Sequence, residues 1–331
     1  ASELTRIKSP WLVSSCEWNI ANRSKAIVWL CKKTKKSILK LTDEDYNQNG
    51  MSDLLALHGP SYDLNIEMFN RMQHSISGWP GGKPNSDDTN RPERKFPEKK
   101  RIIIFSPHPD DDVISMGGTF DRLVSQGHEV HIAYQTSGNI AVSDQDALKY
   151  LEVTSDLMGD DLKHVTNDLK KSLKSLNSQK PAPRDVCNLK GSIRKRESLA
   201  SARYLGISDE QVHFMNLPFY ETGTIAKNPI SDKDISQTVS LIESIKPHQI
   251  YAAGDLADPH GTHEVCLDII IKSLKKLKPK AFMKDCWVWL YRGAWHEWDI
   301  HEIEMAVPMS PDQVLRKRKA IFYHQTQKDG V

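Results

Sequence analysis

The 331-residue chain has 27% charged residues, 38% hydrophobic residues and a formal net charge of +2, as expected for a globular protein. So small a net charge gives no electrostatic reason to expect nucleic acid or an anionic membrane as a partner. No stretch approaches the roughly 20 apolar residues of a membrane span, and the N-terminal residues lack the apolar core of a signal peptide. We therefore expect a cytoplasmic protein without a membrane span.

The first part of the chain predicts a helical appendage over residues 1–77. In 20-IANRSKAIVWLCKKT-34, apolar residues recur at helical spacing. The segment has few further apolar residues from which to build a core, so we interpret it as the tail of a preceding domain. Residues 78–100 are rich in Gly, Pro and charge, which predicts a linker.

From residue 101 onward, predicted strands and helices alternate. The strands are predicted at 101–106, 129–138, 211–217, 249–254 and 284–293. The helices are predicted at 112–127, 193–206, 232–246 and 261–277. This alternation favours an α/β domain over 101–331 with a doubly wound, mostly parallel sheet. Residues 143–192 interrupt the pattern, and their polar, Lys- and Ser-rich sequence predicts a helical surface insertion.

An acidic run follows the first predicted strand, in the stretch 106-SPHPDDD-112. Aspartate commonly caps a helix, and a cap is the simplest explanation of Asp111 or Asp112. A cap needs only one carboxylate, however, and adjacent like charges are costly unless a cation offsets them. Because ligands bind outside the carboxyl ends of parallel strands, His108 with a neighbouring aspartate could bind zinc.

A second cluster, 258-DPHGTH-263, follows the strand predicted at 249–254. A single histidine is more often structural than a ligand, and the chain has 13. Three others are interpreted as structural: His213, His248 and His324. His260 and His263 are three residues apart at the edge of the sheet that also carries His108. Together the two loops offer three ligands and an open position, which is typical of a catalytic zinc site.

The motifs SPHPDDD, MGGT and DPHGTH together resemble the zinc-dependent PIG-L/LmbE-like de-N-acetylase family over about residues 101–325. The resemblance implies a Rossmann-like fold, in agreement with the alternating elements. It also implies an N-acetylated, small-molecule substrate and one zinc ion.

The resemblance also implies a role for each matching residue. The implied zinc ligands are His108, Asp111 and His263. Asp110 would be the general base, and His260 would polarise or protonate groups around the tetrahedral intermediate. Arg194, which begins an R-x-x-E motif ending at Glu197, would contact the substrate sugar, although a solvated charge within the basic run RKR is an equal alternative. We interpret Asp112 as a helix cap.

Two positions depart from the family pattern. The stretch 319-KAIFYHQTQ-327 is similar to the family's closing K-x-x-A…H-x-S-Q segment, but Thr326 replaces the usual serine. After the second strand, TSGN places Asn139 where many members have the Glu of a Gly-Glu pair. The role of that acidic position therefore stays open.

The front segment is similar to the carboxyl-terminal end of glucosamine-6-phosphate deaminases, some of which are fused to a de-N-acetylase-like domain. We expect a zinc-dependent hydrolase that removes acetyl from an N-acetylglucosamine-type amino sugar, with or without a phosphate. One alternative is a non-catalytic or regulatory domain of a deaminase-like protein. Another is a divalent-metal phosphoryl-transfer enzyme, which the two histidines disfavour. The oligomeric state stays open, with a homo-oligomer among the options.

Overall fold

The computed structural model describes residues 18–76, 97–158, 163–174 and 181–330. Within these ranges the chain forms two compact units. The first contains residues 18–76 and 298–308, and the second contains the remaining described residues. Most of the predicted linker, residues 78–96, and the first 17 residues of the predicted appendage lie outside the described residues.

The first unit is helical. Its helices are α1 (Ile20–Thr34), α2 (Asp43–Gln48), α3 (Ser52–His58) and α4 (Ser61–His74). Asn19 caps α1 by accepting a hydrogen bond from the backbone N–H of Asn22. The side chains of Thr42 and Asp45 form a reciprocal capping box at the start of α2.

The expectation that this unit has little core of its own is wrong. Its helices bury a cluster of large apolar side chains, among them Ile27, Leu30, Tyr46, Met51 and Leu54. The Tyr46 hydroxyl donates to Asn65 Oδ1 at 2.8 Å, and Asn65 Nδ2 donates to the Leu41 carbonyl at 2.8 Å. The core is missed because part of it lies on α2 and α3, whose six and seven residues are too few to show a clear helical period.

The second unit contains a five-stranded sheet. The strands are β1 (Arg101–Ser106), β2 (Glu129–Tyr134), β3 (Val212–Phe214), β4 (Gln249–Ala253) and β5 (Trp287–Tyr291). Their spatial order is β3-β2-β1-β4-β5, and every pairing is parallel. The predicted parallel α/β architecture is confirmed.

Eight helices surround this sheet within the described residues. They are α5 (Asp111–Ile114), α6 (Gly117–Ser125), α7 (Asp144–Met158), α8 (Lys163–Lys174), α9 (Arg184–Tyr204), α10 (Asp232–Ile245), α11 (Thr262–Leu277) and α12 (Pro311–Ile321). Ile102 and Ile104 of β1 share a core with residues of α6, α9 and α12. Ile103 and Phe105 point to the opposite face and share a core with α10 and α11. Successive side chains of a strand point to opposite faces of the sheet, and both sets are apolar in β1. The sheet is therefore covered on both faces, as is typical of parallel sheets.

The helix predicted at 112–127 is wrong as a single element, because it is divided into α5 and α6. The break falls next to Gly117 and Gly118, and glycine has low helix propensity. A Cβ on Gly118 would lie 1.6 Å from Met309 Sδ, and one on Gly117 would lie 2.9 Å from Lys317 Cγ. Because Gly117 and Gly118 lack a Cβ, Met309 and the α12 residue Lys317 can pack closely against the start of α6.

Helix α9 begins at Arg184, nine residues before the predicted start at residue 193. Its first turns contribute Val186 and Ile193 to a small core that also contains Leu151 of α7 and Leu173 of α8. The helices within 143–192 are thus packed against the first half of α9. Among the described residues, no helix is both long enough and apolar enough to cross a bilayer.

Candidate metal centre and catalytic site

Two loops at the carboxyl edge of the sheet form the site. The first runs from β1 to α5, and the second from β4 to α11. Because β1 pairs directly with β4, the two loops lie side by side although some 150 residues separate them in the chain. The open edge of a parallel sheet thereby brings the two predicted clusters together.

Three side chains from these loops converge: His108, Asp111 and His263. Each offers one ligand atom, and these atoms all lie within 4.8 Å of one another. Asp111 Oδ2 lies 3.3 Å from His108 Nδ1 and 3.2 Å from His263 Nε2. The group has the donor types and spacing to hold a metal ion. The backbone N–H of His108 also donates to Asp111 Oδ2 at 2.9 Å, which fixes the carboxylate.

His263 is oriented by its second ring nitrogen. Nδ1 lies 2.9 Å from the Asp255 carbonyl oxygen, which can only accept, so Nδ1 carries the proton. Nε2 is buried and lacks a hydrogen bond of good geometry, so it is the atom available for a cation. Asp258 fixes the backbone of the same turn by accepting from the N–H groups of Thr262, at 2.7 Å, and His263, at 3.3 Å.

Electrostatics at this cluster favour positive charge. Burial lowers the pKa of His263, but Asp111, Asp258 and the Asp255 carbonyl together outweigh burial and raise that pKa to about 9. Burial alone raises the pKa of Asp111, but hydrogen bonds and charges from the two imidazoles hold it well below its usual range. A site that stabilises an imidazolium in this way also attracts a metal cation.

Asp110 lies beside the cluster and is held by Arg194. Asp110 Oδ2 is 3.2 Å from Arg194 Nη2, and Arg194 is only 1% exposed. The alternative of a solvated charge at Arg194 is therefore wrong. The sequence alone does not show which of the three basic residues in RKR is buried, because burial depends on which face of α9 packs against the sheet. Asp110 Oδ1 makes no hydrogen bond to any other residue that the structure describes.

The interpretation of Asp112 as a helix cap is wrong. Asp112 is fully buried, and its Oδ2 accepts from the Tyr134 hydroxyl at 3.0 Å. Its Oδ1 lies 3.3 Å from Ser106 Oγ, whose side chain also accepts from the Asp112 N–H at 3.1 Å. Burial raises the pKa of Asp112 to about 7. The third aspartate of the run therefore links the loop to the strands beneath it.

His260 differs from the other predicted residues, because its side chain is exposed. Its imidazole makes no hydrogen bond to any residue that the structure describes. Its backbone is fixed at both ends: the N–H donates to Asp258 Oδ1 at 3.0 Å, and the carbonyl accepts from Lys227 Nζ. The structure thus places His260 on the same loop as His263 but does not bring its ring into contact with the cluster of His108, Asp111 and His263.

Several residues that the sequence did not single out also border the site. The Tyr220 ring stands edge-on to the His108 ring, with centroids 6.2 Å apart. Glu221, the next residue, accepts from the Ser137 N–H at 3.2 Å and from Asn139 Nδ2 at 3.3 Å. Glu221 thus places a carboxylate beside Asn139, although 82 residues separate the two in the chain. No local pattern could reveal that pairing.

Of the histidines interpreted as structural, two have partners that fit a structural role. His213 Nε2 lies 3.1 Å from His131 Nδ1, and His248 Nδ1 accepts from the Arg101 N–H at 2.9 Å. His324 is different. It is 2% exposed, and neither ring nitrogen has a hydrogen-bond partner. Burial lowers its pKa to about 4, so the ring is neutral at pH 7.

The sequence profile of the family described as "PIG-L: GlcNAc-PI de-N-acetylase" matches residues 103–274, a little over half of the chain. The chain belongs to the PIG-L family. The matched range includes both loops and α9, and it ends before α12. PIG-L membership makes the domain a hydrolase of the de-N-acetylase class.

A relative from Bacteroides thetaiotaomicron, named "Putative glucosamine-6-phosphate deaminase-like protein", is 53% identical over 340 aligned positions. The match covers 99% of this chain and 51% of the relative, so the chain spans about half of that protein's length.

Solved structures are more distant. The N,N'-diacetylchitobiose deacetylase of Pyrococcus horikoshii is 20% identical, with a TM-score of 0.42 over 69% of this chain and 70% of that one. GalB, the 4-carboxy-2-hydroxymuconate hydratase of Pseudomonas putida, is 14% identical, with a TM-score of 0.39 over 70% and 84%. At these scores neither likeness bears on the substrate.

Proposed function

We propose that this chain is a zinc-dependent amide hydrolase that removes acetyl from an N-acetylglucosamine-type amino sugar. One observation carries the proposal: a buried carboxylate, Asp110, is held by Arg194 directly beside a His–Asp–His cluster that can bind a metal ion. A metal site with a base at its side is the arrangement that metal-assisted amide hydrolysis requires.

The donor set fits zinc. His108, Asp111 and His263 supply two imidazoles and one carboxylate, and imidazole suits zinc better than magnesium. The buried Nε2 of His263, 3.2 Å from Asp111 Oδ2, is a ligand atom already oriented by the bond of Nδ1 to the Asp255 carbonyl. A zinc ion held there would supply a Lewis acid for the amide carbonyl and for water. Three protein ligands would leave a position open for the substrate.

The residues of this chain then have separate tasks. Asp110 accepts the proton of the attacking water through its free Oδ1, while Arg194 fixes Oδ2. Since Arg194 has almost no exposed surface, we assign it to orientation of the base rather than to contact with the sugar. His260 protonates the departing amine, and its exposed side chain must turn toward the cluster to do so.

The substrate itself is part of the proposal. Family membership supports an N-acetylated amino sugar, and the deaminase-like name of the Bacteroides relative is consistent with amino-sugar chemistry nearby. We further propose that residues 1–77 are the end of a preceding deaminase-like domain. Zinc content combined with an acetate-release screen over N-acetylglucosamine, its 6-phosphate and short chitin oligomers tests the assignment. No acetate from any of them would contradict it.

A second candidate is a regulatory domain of a deaminase-like protein, favoured by the name of the relative that matches almost the whole chain. It predicts no acetate release, together with a change in deaminase activity when the zinc ligands are substituted in the longer protein.

A further inference from the structure

His324 is a buried imidazole for which the proposed mechanism has no use. It lies three residues beyond the end of α12 at residue 321, in a turn where its N–H donates to the Ile321 carbonyl at 3.0 Å. The residue is 2% exposed, and neither Nδ1 nor Nε2 has a partner. A buried imidazole without hydrogen bonds is uncommon, because each unpaired polar atom keeps an uncompensated desolvation penalty.

Hydrogen bonds hold the segment that carries His324 along α9 at two points. On one side Ser201 Oγ donates to the Ala320 carbonyl at 3.0 Å. On the other, Thr326 donates to Glu197, at 2.8 Å from its N–H and at 2.7 Å from its hydroxyl. His324 is thereby held beside the stretch of α9 between Glu197 and Ser201, which begins three residues after Arg194.

Arg194 also has buried hydrogen-bonding atoms without partners, but these atoms are donors. Its Nη2 reaches Asp110, but the buried Nε and Nη1 have no acceptor. Guanidinium nitrogens can only donate, whereas a neutral imidazole has one nitrogen that accepts. The charge of Arg194 is close enough to lower the pKa of His324, while Asp110 and Asp111 act in the opposite direction and burial outweighs both.

We propose that His324 is a positioning residue for the catalytic base: its ring accepts a hydrogen bond from one bridging water, which in turn accepts from Arg194, and so holds the guanidinium against Asp110. This inference rests on the proposed function for its catalytic consequence, but not for the contact itself. His324 lies outside the residues that match the PIG-L profile.

The contact is tested by ¹⁵N NMR of histidine-labelled protein at pH 7, with the His324 signals assigned by their loss in His324→Gln. We expect a neutral ring with one tautomer, and we expect the accepting nitrogen to shift toward the value of a free lone pair in Arg194→Met. If the His324 signals are identical in folded Arg194→Met and in the parent, the contact does not exist. This readout needs no activity, so it decides the contact even if the parent releases no acetate.

The catalytic consequence is tested by kinetics. His324→Phe keeps a ring and removes the acceptor, so kcat is expected to fall about 10- to 100-fold, as for other supporting hydrogen-bond partners, with KM and zinc content unchanged. His324→Gln keeps an acceptor and is expected to retain most of kcat. The control is Gln325→Ala, which changes an exposed neighbour in the same turn. Parent-like kinetics in His324→Phe, or equal losses in His324→Phe and His324→Gln, would overturn the positioning role.

Discussion

Gly138→Ala tests whether the loop after β2 packs on the loop between β1 and α5, which contains His108 and Asp110. Gly138 has φ 61° and ψ 18°, in the left-handed region that disfavours residues with a Cβ. A Cβ there would lie 2.8 Å from Pro109 Cδ and 3.1 Å from Arg194 Nε. The substitution therefore combines backbone strain with overpacking against the loop that carries Asp110.

The chain offers a matched control in Gly261→Ala. Gly261 has φ 65° and ψ 15°, almost the same backbone conformation, but no atom lies within 4 Å of the position that the alanine methyl group would occupy. Backbone strain of about 1–2 kcal/mol is common to both variants. Overpacking, worth about 1–3 kcal/mol, applies to Gly138→Ala alone.

The assay is urea unfolding of both variants and the parent, read as the free energy of unfolding. Gly138→Ala is expected to lose about 1–3 kcal/mol more than Gly261→Ala, because only its methyl group meets Pro109 and Arg194. Hydrogen exchange in peptides spanning 107–112 should rise in Gly138→Ala because the clash falls on that loop. Equal losses in the two variants would refute the packing on which the placement of Asp110 depends.

Other substitutions test separate contacts. Thr326→Val should lower the free energy of unfolding by about 1–3 kcal/mol, since it leaves the buried Glu197 Oε2 without its hydroxyl donor, whereas Thr326→Ser should keep the bond; equal losses would count against it. Tyr134→Phe leaves Asp112 Oδ2 without its donor and should cost about 1–3 kcal/mol by the same measurement, so unchanged stability would contradict the buried link. His260→Gln should lower kcat at least about 100-fold at unchanged zinc content, and parent-like turnover would remove His260 from the mechanism. Chelation should lower the unfolding temperature, and zinc rather than magnesium should restore it; no shift on chelation would argue against a bound metal.

The sheet could be predicted from the sequence because strand and helix periods alternate clearly after residue 101. The predicted strand ends were less accurate, since the strand predicted at 129–138 ends at Tyr134 in the structure. The four residues that follow, QTSG, instead belong to the loop that packs on Pro109. Tertiary packing decides such boundaries, and a local pattern does not contain it.

The convergence of His108, Asp111 and His263 could also be predicted, because these residues follow strands whose carboxyl ends share one edge. The direction in which a side chain points was harder to predict. Asp111 and Asp112 are adjacent in the sequence, yet one faces the cluster and the other lies buried against Tyr134.

Long-range partners were missed for a different reason. Glu221 reaches the loop at Asn139, and the His324 segment reaches α9, across 82 and more than 120 residues. Neither residue stands in a motif that specifies its partner. Such contacts follow from the packed arrangement of the loops around the sheet edge.

The central claim is that Asp110 is the base of a zinc-dependent deacetylase. It is tested most directly by measuring bound zinc and acetate release from N-acetylglucosamine-type substrates in the parent and in Asp110→Asn. Asp209→Asn is the control, since Asp209 pairs with Arg203 of the same helix α9 at an exposed position. We predict that Asp110→Asn keeps its zinc and loses at least about 100-fold in kcat, while the control is unchanged. Parent-like acetate release by zinc-loaded Asp110→Asn would contradict the claim.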